Sequence, residues 1–125
     1  MGPRFLVDTN ILIEFQGKIL PPNIHEFVSS VIDTEFNVSI VNKIELLGSK
    51  YATKETEDFI EFATIYELNT AVANTTIQLR KKFKMKLPDA IVAATAIVNN
   101  FVLITRNVKD FVNIANLVVI NPYDA

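Results

Sequence analysis

Several side chains able to bind a metal ion stand where short apolar runs end. Asp8 directly follows the apolar run 5–7, and Asn107 and Asp110 follow the apolar run 102–105. Carboxylates brought close together repel one another, and ionised carboxylates are costly to bury unless they are paired or bind a cation. The hard ions Mg²⁺ and Mn²⁺ suit such a cluster, because they accept carboxylates and keep water molecules for a substrate phosphate. The residue types therefore indicate a divalent-cation site.

Two more carboxylates lie on predicted helices. Glu45 is on a helix predicted over about 41–49, where it shares one side with apolar or small residues at helical spacing, Val41, Ile44 and Gly48. A carboxylate thus occupies one position on a side of the helix that is otherwise expected to face the core. Asp89 stands in the first turn of a helix predicted over 88–99, which is rich in alanine and is expected to be central and closely packed.

Each of these residues also has a structural interpretation. Asp8 could cap the helix that follows it, and Asp89 is favourable near a helix N-terminus because of the helix dipole alone. Glu45 could simply be exposed, and Asp110 could cap the turn after its strand. These alternatives lose weight if all four carboxylates lie at one edge of a sheet.

The rest of the chain predicts the elements that would position these side chains. Short apolar runs predict strands at 5–7, 37–40, 64–68, 102–105 and 117–120. Helical spacing predicts a first helix through Ile11, Leu12 and Phe15 and later helices over 24–32, 41–49, 53–62, 69–83 and 88–99, with Asn23, Thr53 and either Asn69 or Thr70 as caps. Strands alternating with helices are typical of an α/β fold with a parallel sheet and helices on both faces.

In such a sheet the carboxyl ends of the strands gather on one edge, because the crossovers are right-handed and the strands run parallel. Asp8, Asn107 and Asp110 belong to that edge, and so does Glu45, which follows the second strand. Asp89 reaches it only if residues 87–88 lie there, which the sequence leaves open.

The composition is that of a well-buried globular chain. Half of the 125 residues are hydrophobic and the mean hydropathy is +0.27, so residues 1–125 are expected to form one domain. The absence of cysteine excludes disulfides, thiolate metal sites and cysteine nucleophiles. We find no signal-peptide pattern, and the longest apolar stretch, 90–98, is too short to span a bilayer, so we expect a cytoplasmic protein.

Other catalytic chemistries have little support. The single histidine, His25, is predicted to be an ordinary surface residue on a helix, which excludes a two-histidine ribonuclease or a Ser-His-Asp site. The three glycines form no phosphate-binding loop, so no nucleotide cofactor is expected.

Positive charge is concentrated in one short segment although the net charge is −2. This basic segment holds five of the twelve basic residues: Arg80, Lys81, Lys82, Lys84 and Lys86. It is either a solvated helix end, where cations suit the dipole, or a surface that attracts phosphate groups.

Four segments, taken in order, resemble the motifs of PIN-domain ribonucleases: 7–13, 44–46, 87–94 and 105–111. The length and the arrangement are most similar to the VapC-type toxins of prokaryotic toxin–antitoxin modules. The resemblance implies a three-layer α/β/α sandwich with a central, mostly parallel sheet. It also implies an endoribonuclease that depends on Mg²⁺ or Mn²⁺, forms a homodimer and is inhibited by a cognate antitoxin.

The same resemblance assigns roles to the acidic residues. Asp8, Glu45 and Asp89 would be the core acidic residues, with Asp8 and Asp89 holding the ion and Glu45 helping to ligate it or to orient the attacking water. The fourth position of the family pattern, often aspartate, is Asn107 here, and Asp110 is close enough in sequence to contribute. The basic segment would then contact the RNA backbone.

Three other functions fit parts of the pattern. The same site could serve RNA maturation or DNA flap cleavage. A phosphoacceptor receiver domain is similar in length, but it needs adjacent acids after the first strand and a lysine after the last, where this chain has single Asp8 and Asn121. A catalytically silent interaction module would be consistent with Asn107 in place of a carboxylate.

Overall fold

The computed structural model of the chain describes residues 2–124. This part of the chain contains five strands, β1 (Arg4–Val7), β2 (Asn37–Ser39), β3 (Thr64–Tyr66), β4 (Phe101–Ile104) and β5 (Val119–Ile120). It also contains six α-helices, α1 (Thr9–Gln16), α2 (Pro22–Thr34), α3 (Ile40–Leu47), α4 (Lys54–Glu61), α5 (Thr70–Lys82) and α6 (Leu87–Val98). Two 3₁₀ turns, Val108–Phe111 and Pro122–Asp124, follow β4 and β5. Every predicted strand and helix is present, with ends shifted by a few residues.

All strand pairs in residues 2–124 are parallel, as predicted. β1 pairs with β4 in the register Arg4 to Phe101, and β5 pairs with the other side of β4. β2 pairs with β3, so the strands form a three-stranded and a two-stranded set instead of one continuous ladder. The sets meet where β2 lies beside β1, and there the buried Asn37 donates a hydrogen bond from Nδ2 to the Phe5 carbonyl (3.0 Å).

Successive residues of the central strands point to opposite faces and supply two separate cores. Leu6 of β1 and Leu103 of β4 belong to the core built with α5 and α6. Val7 and Ile104, the next residue of each strand, belong to the core built with α1, α2, α3 and α4. Helices therefore cover both faces of the strands, and the fold is the predicted three-layer α/β/α sandwich.

Two of the three predicted helix caps are confirmed. Thr53 and Asn69 cap α4 and α5, as predicted, and each side chain accepts a backbone N–H of the following turn. α2 begins at Pro22, so the predicted cap Asn23 lies inside the helix. Proline suits the first helical position, because its φ is preset and its missing N–H would have no helical partner there.

The alanine-rich helix α6 is central, as predicted, and its buried residues are Ala90, Val92, Ala93, Ala94, Thr95 and Ala96. His25 is not the ordinary surface residue that the sequence suggested. It is partly buried on α2, and its ring stacks on Phe15 with 4.7 Å between the centroids. Within residues 2–124, no helix combines the length and the hydrophobicity needed to cross a membrane.

Candidate active site

Asp8 stands at the carboxyl end of the central strand β1, where the chain turns into α1. Its backbone N–H donates to the Ile104 carbonyl of β4 (2.9 Å), which continues the ladder to the end of the strand. Its side chain is buried and caps α1 by accepting the Thr9 N–H on Oδ1 (2.9 Å). The capping interpretation of Asp8 is therefore correct, and it also explains why the carboxylate is fixed at the sheet edge.

Two more donors hold the Asp8 carboxylate. Nδ2 of Asn42, on α3, donates to Oδ1 (2.9 Å), and the hydroxyl of Thr105, directly after β4, donates to Oδ2 (2.8 Å). Both donors are fully buried. A carboxylate has about four acceptor positions and no donor when ionised, so three donors match its chemistry and one position on Oδ2 remains for another partner.

Glu45 lies on α3, but the inward stripe predicted for this helix is wrong. Ile44, Glu45 and Gly48 are exposed, and the buried side of the helix carries Asn42 and Leu46 instead. The prediction failed because the apolar Ile44 points to solvent while the polar Asn42 is turned inward.

The actual orientation of α3 follows from how the helix starts. Ser39 caps it, and Ser39 and Asn42 exchange hydrogen bonds as a capping box, which fixes Asn42 on the inner side. Glu45 then faces the site from its exposed position, and its Oε1 accepts a hydrogen bond from the Thr9 hydroxyl (2.6 Å). Glu45 and Asp8 are thus linked through neighbouring polar side chains.

Asp89 lies in the first turn of α6, and its pKa is affected by three other carboxylates. Burial raises the pKa of this carboxyl above its ordinary value, and the negative charges of Asp110, Asp8 and Glu45 raise it further, in that order. Charge effects weaken with distance and screening, so all three carboxylates act on Asp89 from close by. The condition that the sequence left open, that α6 begins at this sheet edge, is met.

The segment after β4 brings Asn107 and Asp110 to the same edge. The Asn107 N–H donates to Thr105 Oγ1 (3.1 Å), and the Asp110 N–H donates to the Asn107 carbonyl (3.0 Å). Phe111 anchors the 3₁₀ turn in the core, while Asn107 and Asp110 remain exposed. Asp110 therefore adds a charge that acts on Asp89, and Asn107 adds a neutral amide.

Arg106 connects this segment to two other parts of the fold. Its backbone N–H donates to Asn10 Oδ1 (3.2 Å), and its Nη1 donates to Glu14 Oε2 on α1 (2.6 Å). Its guanidinium also lies over the Tyr123 ring at 4.2 Å from the centroid. Asn10 in turn donates to Thr105 Oγ1 (3.2 Å), so the start of the segment is fixed on both sides.

The side chains at this edge are of the chemical types that bind a hard divalent cation. Carboxylate and amide oxygens are the ligands that Mg²⁺ and Mn²⁺ prefer, and neither cysteine nor histidine competes for a softer ion here. Among residues 2–124, no three acidic or histidine side chains are grouped tightly enough to hold an ion as they stand. Ion binding would therefore require side-chain movement, and the exposed Asp110 has room for it.

The basic segment approaches the acidic group at its C-terminal end. Its residues are all exposed, in the last turn of α5 (Arg80, Lys81, Lys82), in the connecting segment (Lys84) and at the cap of α6 (Lys86). The positive charge of Lys86 lowers the pKa of Asp89, so this ammonium acts directly on the site. The cations in the last turn of α5 also suit the helix dipole, which is the structural interpretation of the segment.

Sequence reasoning missed the neutral residues that hold the carboxylates: Thr9, Asn42 and Thr105. Thr9 and Thr105 belong to segments used for the family resemblance, yet neither was assigned a role. Asn42 lies one helical turn before Glu45 and three residues after Ser39. That spacing is a signal that could have identified it, because both the cap and the site need a side chain there.

Comparison with known proteins agrees with the geometry. A sequence model of the PIN domain matches residues 5–117. No curated protein sequence matches the chain.

Several solved structures share the fold over almost the whole chain. A toxin–antitoxin complex from Klebsiella pneumoniae contains a chain that is 30% identical, with a TM-score of 0.75 and coverage of 95% of this chain and 98% of that one. VapBC-1 from nontypeable Haemophilus influenzae is similar at 24% identity, with a TM-score of 0.79 and coverage of 95% and 98%. DNA-bound VapBC from Salmonella typhimurium is similar at 21% identity, with a TM-score of 0.79 and coverage of 97% and 99%.

Proposed function

Because the chain belongs to the PIN domain family, we propose that it is an endoribonuclease dependent on Mg²⁺ or Mn²⁺, and the toxin of a toxin–antitoxin pair. The observation that carries this proposal is the acidic group Asp8, Glu45, Asp89 and Asp110, in which burial first, and then repulsion by the other three charges, raises the pKa of Asp89. A divalent cation relieves such repulsion, and phosphodiester hydrolysis is a reaction that such an ion assists. The 30% identity to a chain of a solved toxin–antitoxin complex supports the toxin role.

Four or five side chains would form the site. Asp8 and Asp89 would hold the ion, Glu45 would ligate it or orient the attacking water, and Asp110 or Asn107 would complete the ligand shell. When bound, such an ion stabilises charge on the phosphate and lowers the pKa of a coordinated water molecule.

The chain's own residues prepare this arrangement. Three donors fix the Asp8 carboxylate, and the Thr9 hydroxyl orients Glu45. The Asn107 amide is neutral, so it can donate to a phosphate oxygen where a fifth carboxylate would repel the substrate. Asn107 therefore suits substrate positioning better than metal binding.

We further propose that the basic segment contacts the RNA backbone, with Lys86 nearest to the reacting phosphate. Lys86 is exposed and its charge acts on Asp89, so a phosphate placed between them would meet an ammonium on one side and the ion site on the other. Contacts of this kind position RNA without reading its sequence.

An antitoxin and a second copy of the chain are the protein partners that we propose. A groove of about 290 Å³ between α1 and the α3–α4 region has the exposed apolar residues Ile13 and Tyr51 in its lining. Such a surface suits an apolar protein segment, and a similar solved structure is a toxin–antitoxin complex. Light scattering on the purified chain, with and without its co-expressed antitoxin, would test both partners.

The decisive experiment is cleavage of transfer RNA and ribosomal RNA by the purified chain with Mg²⁺, with Mn²⁺ and with EDTA. Asp8→Asn and Asp89→Asn, each checked for folding, should abolish metal-dependent cleavage. Glu35→Gln is the matched control, because it makes the same kind of substitution away from the site and should cleave like the wild type.

Three outcomes would contradict the proposal in different ways. Cleavage that survives both site substitutions would mean a contaminant or a different site. Cleavage of DNA flaps with no cleavage of RNA would assign another nuclease role to the same residues. No cleavage together with no metal binding would identify a silent interaction module.

A further inference from the structure

Asn42 is a fully buried asparagine whose side chain uses its whole hydrogen-bonding capacity. Its Oδ1 accepts from the Ser39 N–H (3.2 Å) and from the Ser39 hydroxyl (2.8 Å). Its Nδ2 donates to Asp8 Oδ1 (2.9 Å) and to Thr9 Oγ1 (3.0 Å). One amide thus joins the start of α3 to two residues at the acidic group.

The orientation of this amide follows from the backbone. A backbone N–H can only donate, so the atom that faces the Ser39 N–H must be the oxygen of Asn42. Both N–H bonds of Nδ2 are therefore directed at Asp8 and Thr9. The Thr9 hydroxyl accepts one of them and directs its single hydrogen to Glu45 Oε1 (2.6 Å). The hydrogen bonds run in one direction, from the Ser39 backbone to the Glu45 carboxylate.

We propose that Asn42 is a positioning residue that sets the Asp8 and Glu45 carboxylates relative to each other. It acts directly on Asp8 and through Thr9 on Glu45. This inference rests on the proposed metal-dependent function, because these two carboxylates are among the ligands that Asn42 would arrange. Capping of α3 does not account for it, since the cap uses only Oδ1 and the backbone of Asn42.

Asn37 provides a matched control elsewhere in the fold. It is also fully buried, and its Nδ2 also makes two donations, to the Phe5 carbonyl (3.0 Å) and to Glu35 Oε1 (2.9 Å). Those partners lie at the opposite end of the strands from Asp8. Asn37→Leu should therefore remove a comparable buried amide without touching the acidic group.

The test is Mn²⁺ binding to the purified full chain, measured by isothermal titration calorimetry without RNA, beside thermal unfolding of each variant. Loss of groups that orient metal ligands weakens metal binding by roughly 10- to 100-fold. We expect a loss of that size for Asn42→Leu and less than about a twofold change for Asn37→Leu, on the same scale. Equal affinities for the two variants would overturn the inference.

A second pair of variants keeps the test decisive if Asn42→Leu does not fold. Thr9→Val keeps the shape of the side chain and removes the hydroxyl that links Asn42 to Glu45, whereas Thr9→Ser keeps the hydroxyl. We expect weaker Mn²⁺ binding for Thr9→Val and recovery of most of that loss for Thr9→Ser. Equal Mn²⁺ binding by Thr9→Val and Thr9→Ser would show that the Thr9 hydroxyl does not position Glu45, and it would overturn the inference.

The wild-type titration separates this inference from the proposed function. Mn²⁺ binding that Asp8→Asn abolishes and Asn42→Leu leaves unchanged would refute the positioning role alone. Absence of Mn²⁺ binding by the wild type would refute the metal-dependent function and the positioning role together.

Discussion

The two ends of the central strands hold acidic side chains in opposite electrostatic situations. At the amino end, Glu35 accepts two hydrogen bonds from Arg4 (2.9 and 2.8 Å) and one from Asn37 (2.9 Å). These bonds lower the pKa of Glu35 from 4.5 to about 2, with those from Arg4 as the largest cause. At the carboxyl end, burial and three neighbouring carboxylates raise the pKa of Asp89.

The two ends differ in how well the chain itself balances their negative charge, and the less balanced end is the better place for a cationic ligand. The charge at the amino end is balanced by a cation and an amide of the chain itself. At the carboxyl end the carboxylates outnumber the nearby cation Lys86, so the negative charge is only partly balanced within the chain. A perturbed carboxyl beside other carboxylates is typical of functional sites, and the divalent cation that we propose would balance the remaining charge.

The largest expected contrast between the two ends is stabilisation by metal. At about 100 times its dissociation constant, Mn²⁺ should raise the free energy of unfolding by about 2.7 kcal/mol. For a chain of 125 residues this corresponds to roughly 10 °C in Tm. Asp8→Asn should lose most of this increase and Glu35→Gln should keep it, as measured by differential scanning calorimetry. An equal loss in both variants would remove the distinction between the ends.

The second contrast concerns the neutral residues that hold the site. Thr105→Val removes a buried hydroxyl and leaves Asp8, Asn10 and the Asn107 N–H each short of a partner, so we expect a loss of about 2 kcal/mol in urea unfolding. Thr95→Val is the control, because Thr95 is equally buried and its hydroxyl donates only to the Ile91 carbonyl (2.7 Å). That variant should lose less than about 1 kcal/mol. Equal losses would mean that Thr105 acts only through packing.

A smaller effect of opposite sign is expected at Asp89. In EDTA at pH 7, Asp89→Asn removes a partly buried charge that three carboxylates repel, so it should raise Tm. With Mn²⁺ present, the same variant should not cleave RNA. Asp58→Asn, on α4, breaks a salt bridge to Lys54 (2.9 Å) and should lower Tm slightly. A fall in Tm for Asp89→Asn would show that its charge is balanced in the metal-free protein.

The smallest effect is the pH dependence at the amino end. Because the pKa of Glu35 is lowered from 4.5 to about 2, its bonds to Arg4 and Asn37 stabilise the fold above pH 4.5. This contribution is lost as the pH falls from 4.5 towards 2, and it is modest because the pair is partly exposed. Glu35→Gln should therefore show a shallower loss of stability over this range in pH-dependent unfolding. Parallel curves for the variant and the wild type would contradict the lowered pKa.

The sequence predicted the parts of this fold that are set by local chemistry. Short apolar runs gave the strands, the caps Thr53 and Asn69 gave two helix starts, and the alanine-rich segment gave the central helix α6. The position of Asp8 followed from the abrupt end of a buried strand. These features depend on propensity and on hydrophobic pattern, which can be read without knowing the neighbours.

The features that the sequence did not predict depend on contacts between distant segments. The capping box of Ser39 and Asn42 turns Asn42 inward, and the bond from Asn42 to Asp8, which is far away in sequence, gives that side of α3 its partner in the interior. Together these contacts override the apolar stripe that the spacing suggested. The gap between the two sets of strands is bridged by the Asn37 side chain, which no strand pattern indicates. The stacking of His25 on Phe15 needs two helices to meet at that point. Tertiary contacts of this kind override local pattern wherever a polar group must be satisfied in the interior.

Asp8 and Asp110 sit on parts of the fold that should open on very different timescales. The Asp8 amide is bonded to Ile104 at the carboxyl end of a parallel ladder that lies between two cores, so its hydrogen exchange should approach the rate of global unfolding. The Asp110 amide belongs to one exposed 3₁₀ turn, anchored by Phe111, and should exchange through local opening. The acidic group therefore joins a rigid half to an adjustable half, and movement of the turn would admit the proposed RNA substrate while Asp8 stays in place.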